Sequence, residues 1–251
     1  MRWHLLVDSV GRPGHENMAA DYALLREAGE GVGVLRIYRW DPACLSFGRN
    51  EPARRRYNRE AIERLGIDVV RRPTGGRAVW HDREVTYSVV APHDTFGSLA
   101  ATYRSIHSML AAALQTLGLA ATLAPTHRRS TPPLTAGACF ASPVGGEVTI
   151  GEHKLIGSAQ LREGKAFLQH GSLLLENGQD LITRVTRGTA SGTEATSLNQ
   201  ALCRPVAFDE VAKAIAGAAA ASWHGEWSAN SLSTSHRAYC SFEDSAWTWR
   251  R

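Results

Sequence analysis

The stretch Arg71-Arg72-Pro73-Thr74-Gly75-Gly76-Arg77-Ala78-Val79-Trp80-His81-Asp82 is the densest unusual string in the chain. Before it, residues 67–71 are rich in β-branched side chains and predict a strand. After it, Val85, Tyr87 and Val89 alternate with Thr86, Ser88 and Val90, the period of a second strand. Two adjacent glycines allow a positive φ or close approach of backbone to a ligand. The arginines on either side carry planar, forked donors that fit a carboxylate or phosphate. His81 adds a titratable ring. The same string also reads as a hairpin turn with exposed arginines, because Gly-Gly between strands is a common turn signal.

Working outward, Met18, Tyr22 and Leu25 recur at helical spacing and predict a helix over 17–28, closed by Gly29 and Gly31. Residues 34–40 predict a strand that Asp41-Pro42 ends, and 44–47 resume an extended run before Gly48-Arg49-Asn50. Asn58 is placed to cap a short helix through Leu65, with Gly66 as its stop. The clearest helix covers 98–117: Leu99, Tyr103, Ile106, Leu110 and Leu114 form one stripe, and Gly118 follows as a C-cap. Beyond a proline-bearing loop, three apolar runs at 147–150, 155–161 and 166–175 are separated by Gly151 and Gly164 at hairpin spacing. A last helix is expected over 208–222, and the tail over 224–251 has no clear pattern. Helices and antiparallel-looking strands interspersed in this way favour an α+β fold over a doubly wound sheet. One catalytic domain over 1–251 is expected.

Composition narrows the function classes. Of 251 residues, 43% are hydrophobic and 21% charged, so the chain can bury a core and is not a disordered polymer. Its most apolar stretch is far shorter than the ~20 residues that span a bilayer. The opening MRWHLLVDSVGRPGHEN carries no apolar export signal, which predicts a cytoplasmic protein. The net charge of +4 suits an acidic partner or anionic substrate. It does not suffice for nucleic acid, since the run Arg54-Arg55-Arg56 has no recognition module around it. Cys44, Cys139, Cys203 and Cys240 form no C-x-x-C pair, so neither a disulfide framework nor a metal site is predicted.

Two further strings carry chemistry. Gly137-Ala138-Cys139-Phe140-Ala141-Ser142-Pro143 precedes Gly151-Glu152-His153-Lys154-Leu155-Ile156-Gly157-Ser158-Ala159-Gln160. Cys139 is a candidate nucleophile if a cation raises its thiolate fraction, and Lys154 is one of only three lysines in the chain. A small buried cysteine and a solvated lysine at a strand end are the plainer reading. In Leu168-Gln169-His170-Gly171-Ser172-Leu173, His170 is either a site residue or a satisfied core histidine.

Together these strings resemble the lipoate–protein ligase and octanoyltransferase superfamily. The likeness rests on RRPTGGRAVWHD, NMAADYALL at 17–25, LSFGRN at 45–50 and HKLIGSAQ at 153–160, in that family's order. It implies an α+β, biotin/lipoate–protein ligase-like catalytic domain with a central, mostly antiparallel sheet flanked by helices. Three features resemble the cysteine-dependent octanoyltransferases of the LipM type. Arg77 stands where the ligases usually carry a third glycine. Cys139, Phe140 and Pro143 match the transferase Cys-Phe-x-x-Pro loop. Only about 76 residues follow Leu175, little room for a ligase's accessory domain.

The resemblance implies ping-pong transfer of an octanoyl group from acyl carrier protein to a lysine of a lipoyl domain such as glycine cleavage protein H. Cys139 would carry the acyl thioester, and Lys154 would hold the thiolate, deprotonate the incoming amine or position the carbonyl. ATP, other cofactors and metals are not called for. Arg72, Gly75, Gly76, Arg77, His81, Gly157, Ser158 and His170 are the expected substrate-binding residues. Trp80 departs from the family pattern, and its indole either shortens the acyl pocket or packs outward. Three other functions fit less of this pattern. An ATP-dependent lipoate or octanoate ligase would form an adenylate. An amidotransferase would take octanoyl from glycine cleavage protein H to another lipoyl domain. A non-catalytic acyl or lipoyl-domain binding protein would form no adduct on Cys139.

Overall fold

The computed structural model describes residues 1–125, 146–151, 153–188, 196–230 and 240–251. Cys139 therefore lies outside the described residues. Strands β1 (Arg2–Arg12), β2 (Val32–Trp40), β3 (Cys44–Phe47), β4 (Asp68–Arg71), β5 (Val79–His81) and β6 (Glu84–Pro92) occupy the N-terminal half, with helices α1 (Gly14–Glu27), α2 (Ala53–Arg56) and α3 (Arg59–Arg64) between them. Then come α4 (Leu99–Thr116), β7 (Ala121–Leu123), β8 (Val148–Ile150), β9 (His153–Lys154), β10 (Ile156–Glu163) and β11 (Ala166–Leu174). Helices α5 (Leu181–Val185), α6 (Leu198–Leu202) and α7 (Phe208–Ser222), strand β12 (Glu226–Asn230) and helix α8 (Ser245–Thr248) complete the order.

The main sheet runs β10-β11-β6-β2-β1-β12. Its first three pairings are antiparallel, and β2–β1 and β1–β12 are parallel. This is the expected α+β architecture with a mixed, mostly antiparallel centre. The apolar core lies between this sheet and α4 and α7, where Leu35, Ile37, Val85, Tyr87 and Val89 meet Ile106, Leu110, Leu114, Val211 and Ile215. A small sheet, β4-β3-β5, packs nearby and carries the Arg71–Asp82 string between two of its strands. A third, β7-β8-β9, leads into β10. No helix among the described residues is long and apolar enough to cross a membrane.

Several elements differ from the sequence expectation, each for a tertiary reason. Helix α1 begins at Gly14, three residues early, because the Asp68 carboxylate of β4 accepts the Gly14 N–H at 2.8 Å. A carboxylate there satisfies an orphan amide and complements the helix dipole. Strand β1 was not expected; it is held as the parallel partner of both β2 and β12. The described parts of the tail pack onto the fold: Trp227 stacks on Trp3, with Trp223 tilted against the same ring, and Trp249 joins Phe47 and Tyr57 in the small-sheet core. Leu99, expected in the buried stripe of α4, is 43% exposed, since the first helical turn overhangs the core. Ser98 caps that helix by accepting the Ala101 N–H, and Asn58 caps α3 by accepting that of Ala61.

Candidate active site

A narrow cavity of about 40 Å³ lies where the Gly75-Gly76 loop faces β10 and β11. Met18, Tyr38, Trp40 and Val79 supply apolar wall, and Arg72, Gly76, His81, Gly157, Ser158 and His170 complete the lining together with the β11 backbone. Six of the expected binding residues thus converge from four separate segments. Gly75 and Arg77 do not line the cavity. Their carbonyls turn inward and accept from Arg72 Nη2 at 3.2 and 2.8 Å.

The arginines of the string are used differently from the expectation. Arg72 also donates from Nη1 to the Ser46 carbonyl at 3.0 Å and to its hydroxyl. Arg71 is buried and donates to the carbonyls of Gly48, Glu51 and Thr248. Both forks therefore organise backbone and fasten two loops together, where an anionic ligand was anticipated. Burial, reinforced by Arg250, lowers the Arg71 pKa to about 10. The loop they hold is tight: a Cβ on Gly48 would overlap the Gly76 carbonyl, and Gly76 itself sits at φ +96°.

Two histidines line this cavity, a third, His107, reaches it through Ser158, and their hydrogen bonds share one logic. His81 Nδ1 lies 2.7 Å from Glu84 Oε1, so it is the donor, and Nε2 accepts from the Ser46 hydroxyl. Its ring stacks on Trp40 with centroids 4.0 Å apart. His170 Nδ1 donates to Asp21 Oδ2 at 3.0 Å, and Nε2 accepts from Thr74 at 2.6 Å. His107 Nδ1 donates to the Gly146 carbonyl at 2.7 Å, and Nε2 accepts from Ser158 at 2.9 Å. In each case an acceptor-only oxygen faces Nδ1 and a hydroxyl faces the far nitrogen, and of these hydroxyls that of Ser158 lines the cavity.

Beneath His170 lies a fully buried charged network. Asp21 accepts from Arg36 at 2.9 Å, from Tyr38 at 2.9 Å and from Ser88 at 2.8 Å. Burial alone would raise the Asp21 pKa, but the His170 bond and the Arg36 charge hold it below its ordinary value. Burial pulls the His170 pKa down against the opposing pull of Asp21, with Arg72 and His81 adding to the depression. A neutral imidazole on an ionised carboxylate is the resulting state.

Lys154 is buried at the end of β9, and its Nζ lies 2.7 Å from Glu147 Oε1. It is not part of the cavity lining, yet it is close enough to His107 to disfavour protonation of that ring. Of the described cysteines, Cys44 is buried, and burial with the neighbouring Asp68 pushes its thiol pKa well up, as expected of an inert core cysteine. Among the described residues no cluster of metal-ligating side chains occurs. Trp80 packs outward into the small-sheet core, its backbone held at both ends by Gln179, and it leaves the cavity untouched.

Sequence reading missed Asp21, Ser46, Thr74, Glu84 and His107 as parts of this arrangement. A signal existed for two of them. Asp21 follows Asn17 by one helical turn on a face otherwise carrying Met18 and Leu25. His107 interrupts the apolar stripe between Tyr103 and Leu110.

The lipoyl protein ligase A/B catalytic domain profile matches residues 13–220. An octanoyltransferase LipM of Moorella thermoacetica is 43% identical, with 71% of this chain and 67% of that protein covered. Another, from Kyrpidia tusciae, is 35% identical and covers 99% of each chain. In fold, a lipoate–protein ligase A bound with ATP superposes with a TM-score of 0.83 at 23% identity, covering 99% of both chains. A lipoate–protein ligase from T. acidophilum with bound lipoic acid gives 0.82 at 22%, covering 99% of this chain and 100% of that one. The matching profile over most of the sequence and these relatives place the chain in the lipoyl protein ligase A/B catalytic-domain family.

Proposed function

We propose that this enzyme is an octanoyltransferase of protein lipoylation that works through a Cys139 thioester. The observation that carries the reading is the 35% identity to an octanoyltransferase LipM across 99% of both chains. The mostly apolar lining supports it, with Met18, Tyr38, Trp40 and Val79 offering an alkyl chain an apolar wall. The donor in this reading is octanoyl-acyl carrier protein, and the acceptor is a lipoyl domain such as that of glycine cleavage protein H.

The Cys139 thiolate attacks the carrier thioester carbonyl, and the carrier thiolate leaves and takes up the proton that Cys139 gave up. The acceptor lysine amine then attacks the new thioester. It loses a proton, expels the Cys139 thiolate and becomes the amide. Exchange of thioester for thioester is nearly balanced and amide formation is downhill, so ATP and other cofactors are not needed. As half of an ion pair, Lys154 presents an ammonium suited to holding a thiolate or the acyl carbonyl. His81 and His170, each with a carboxylate at Nδ1 and a hydroxyl at Nε2, are held in fixed orientations on the floor of the cavity.

Intact-mass analysis after mixing with octanoyl-acyl carrier protein, without ATP, tests this. One octanoyl group is expected on wild type and none on Cys139→Ala. Absence of the adduct on wild type, with acylation of a lipoyl domain only when ATP and free octanoate or lipoate are supplied, would replace the transferase with a ligase.

A further inference from the structure

His107 belongs to no motif, yet its ring joins two parts of the site. It sits on α4 and is fully buried. The Gly146 carbonyl can only accept, so His107 Nδ1 carries the hydrogen and Nε2 of the neutral ring accepts from Ser158. The Tyr87 hydroxyl, 2.8 Å from Ser158 Oγ, must then donate to Ser158, and it accepts in turn from Gln169 Nε2 at 2.9 Å. The Gln169 carbonyl accepts from Gln160 Nε2 at 2.7 Å. Every hydrogen in this chain therefore points one way, from Gln160 through Gln169, Tyr87 and Ser158 to His107, and out to Gly146. Burial, with Lys154 nearby, lowers the His107 pKa to about 4 despite the Gly146 bond, so the ring stays neutral and the direction holds at neutral pH. Gly171 leaves room for it, since a Cβ there would lie 2.5 Å from Ser158 Oγ.

We propose that His107 is a positioning residue for acyl transfer, fixing the cavity wall at Ser158 and the chain at Gly146 in one geometry. It touches no substrate. It acts by claiming the Ser158 proton, so that Ser158 presents lone-pair density to the cavity and does not bind the acyl carbonyl as a donor. It also ties that wall to the backbone at Gly146. The inference rests on the transferase reading above.

The test is single-turnover acylation of Cys139 by octanoyl-acyl carrier protein, followed by intact mass, with steady-state kcat and KM measured in parallel. The variants are His107→Asn, His107→Gln, Ser158→Ala and the double variant His107→Asn/Ser158→Ala. Asparagine keeps an amide near the Nδ1 position but loses the acceptor for Ser158. Glutamine reaches the Nε2 position and restores that acceptor. Loss of one positioning hydrogen bond is expected to slow acylation by about tenfold in His107→Asn and in Ser158→Ala. The apolar wall is untouched, so the loss should appear in kcat while KM stays nearly constant. The double variant should be no slower than either single one, and His107→Gln should recover part of the rate. Wild-type rates in His107→Asn, or losses that multiply in the double variant, would overturn the proposal. Should His107→Asn fail to fold, Ser158→Ala and His107→Gln still decide it, because rates equal to wild type in both would sink the idea. No adduct on the wild type overturns the function itself and the proposal with it. Adducts formed equally fast by all variants overturn the proposal alone.

Discussion

The two sides of the cavity hold their hydroxyls by different means. On the floor, His170 and His81 are backed by carboxylates, Asp21 and Glu84, and Asp21 is itself locked to the buried Arg36. On the wall, His107 is backed by a neutral backbone carbonyl and continues into a chain of uncharged groups. The difference predicts where stability and geometry are stored. Breaking the floor strands a buried charge, which is costly. Breaking the wall loses hydrogen bonds between neutral groups, each worth only about 0.5–1.5 kcal/mol, while still letting a reactive geometry drift.

Asp21→Asn should have the largest effect. It leaves Arg36 with Asp8 alone among its carboxylates and removes the acceptor of His170. A loss of about 3 kcal/mol or more is expected, read by urea denaturation. A loss below 1 kcal/mol would break the comparison, showing the floor to be no more costly to disturb than the wall.

Acid sharpens the same contrast. The folded-state pKa of His107 is about 4, below the ordinary 6.5, so the unfolded chain takes up the proton first. The stability this ring contributes is complete above pH 6.5 and is lost as pH falls toward about 4, up to about 3 kcal/mol in all. His170 is shifted in the same direction. His107→Asn should therefore lose less stability than wild type between pH 6.5 and 4. Identical pH profiles of thermal unfolding would contradict the buried neutral ring.

A smaller effect is expected at Thr74, whose hydroxyl fills the far nitrogen of His170. Thr74→Val leaves that nitrogen unpaired and should cost about 1–2 kcal/mol, while Thr74→Ser keeps the bond and should stay nearer wild type. Equal losses in both would place the effect in the methyl group. At the small end, Trp80→Phe should leave acyl-length preference unchanged, because Trp80 faces away from the cavity. Trp40→Phe, on the cavity wall, should shift the preference toward longer chains in a competition among octanoyl, decanoyl and dodecanoyl donors. The opposite pattern would reverse the assignment of the two indoles.

Much of the architecture was legible from local signals. Asn58 was readable as a cap, the Phe208–Ser222 helix as a unit, and Gly151 and Gly164 as hairpin turns. These features depend on neighbours within a few residues, where propensity and hydrogen bonding act directly. The site was legible only in part. Gly76, His81, Ser158 and His170 lie in strings whose composition marks them, and they do line one cavity. Arg71 and Arg72 looked like anion ligands, because a sequence shows donors without showing that the backbone carbonyls of Gly48 and Arg77 will claim them.

The sequence by itself determined the family, the alternation of strands such as β6 and the cap of α3, since those follow from motifs, side-chain period and local hydrogen bonding. Tertiary structure alone decided the places of β1 and β12, each by pairing with residues far along the chain. It alone decided which carboxylate orients which histidine. Asp21 and His170 are 149 residues apart, and no local propensity carries that pairing; only the antiparallel register of β11 on β6, with α1 laid across them, brings the ring to the acid.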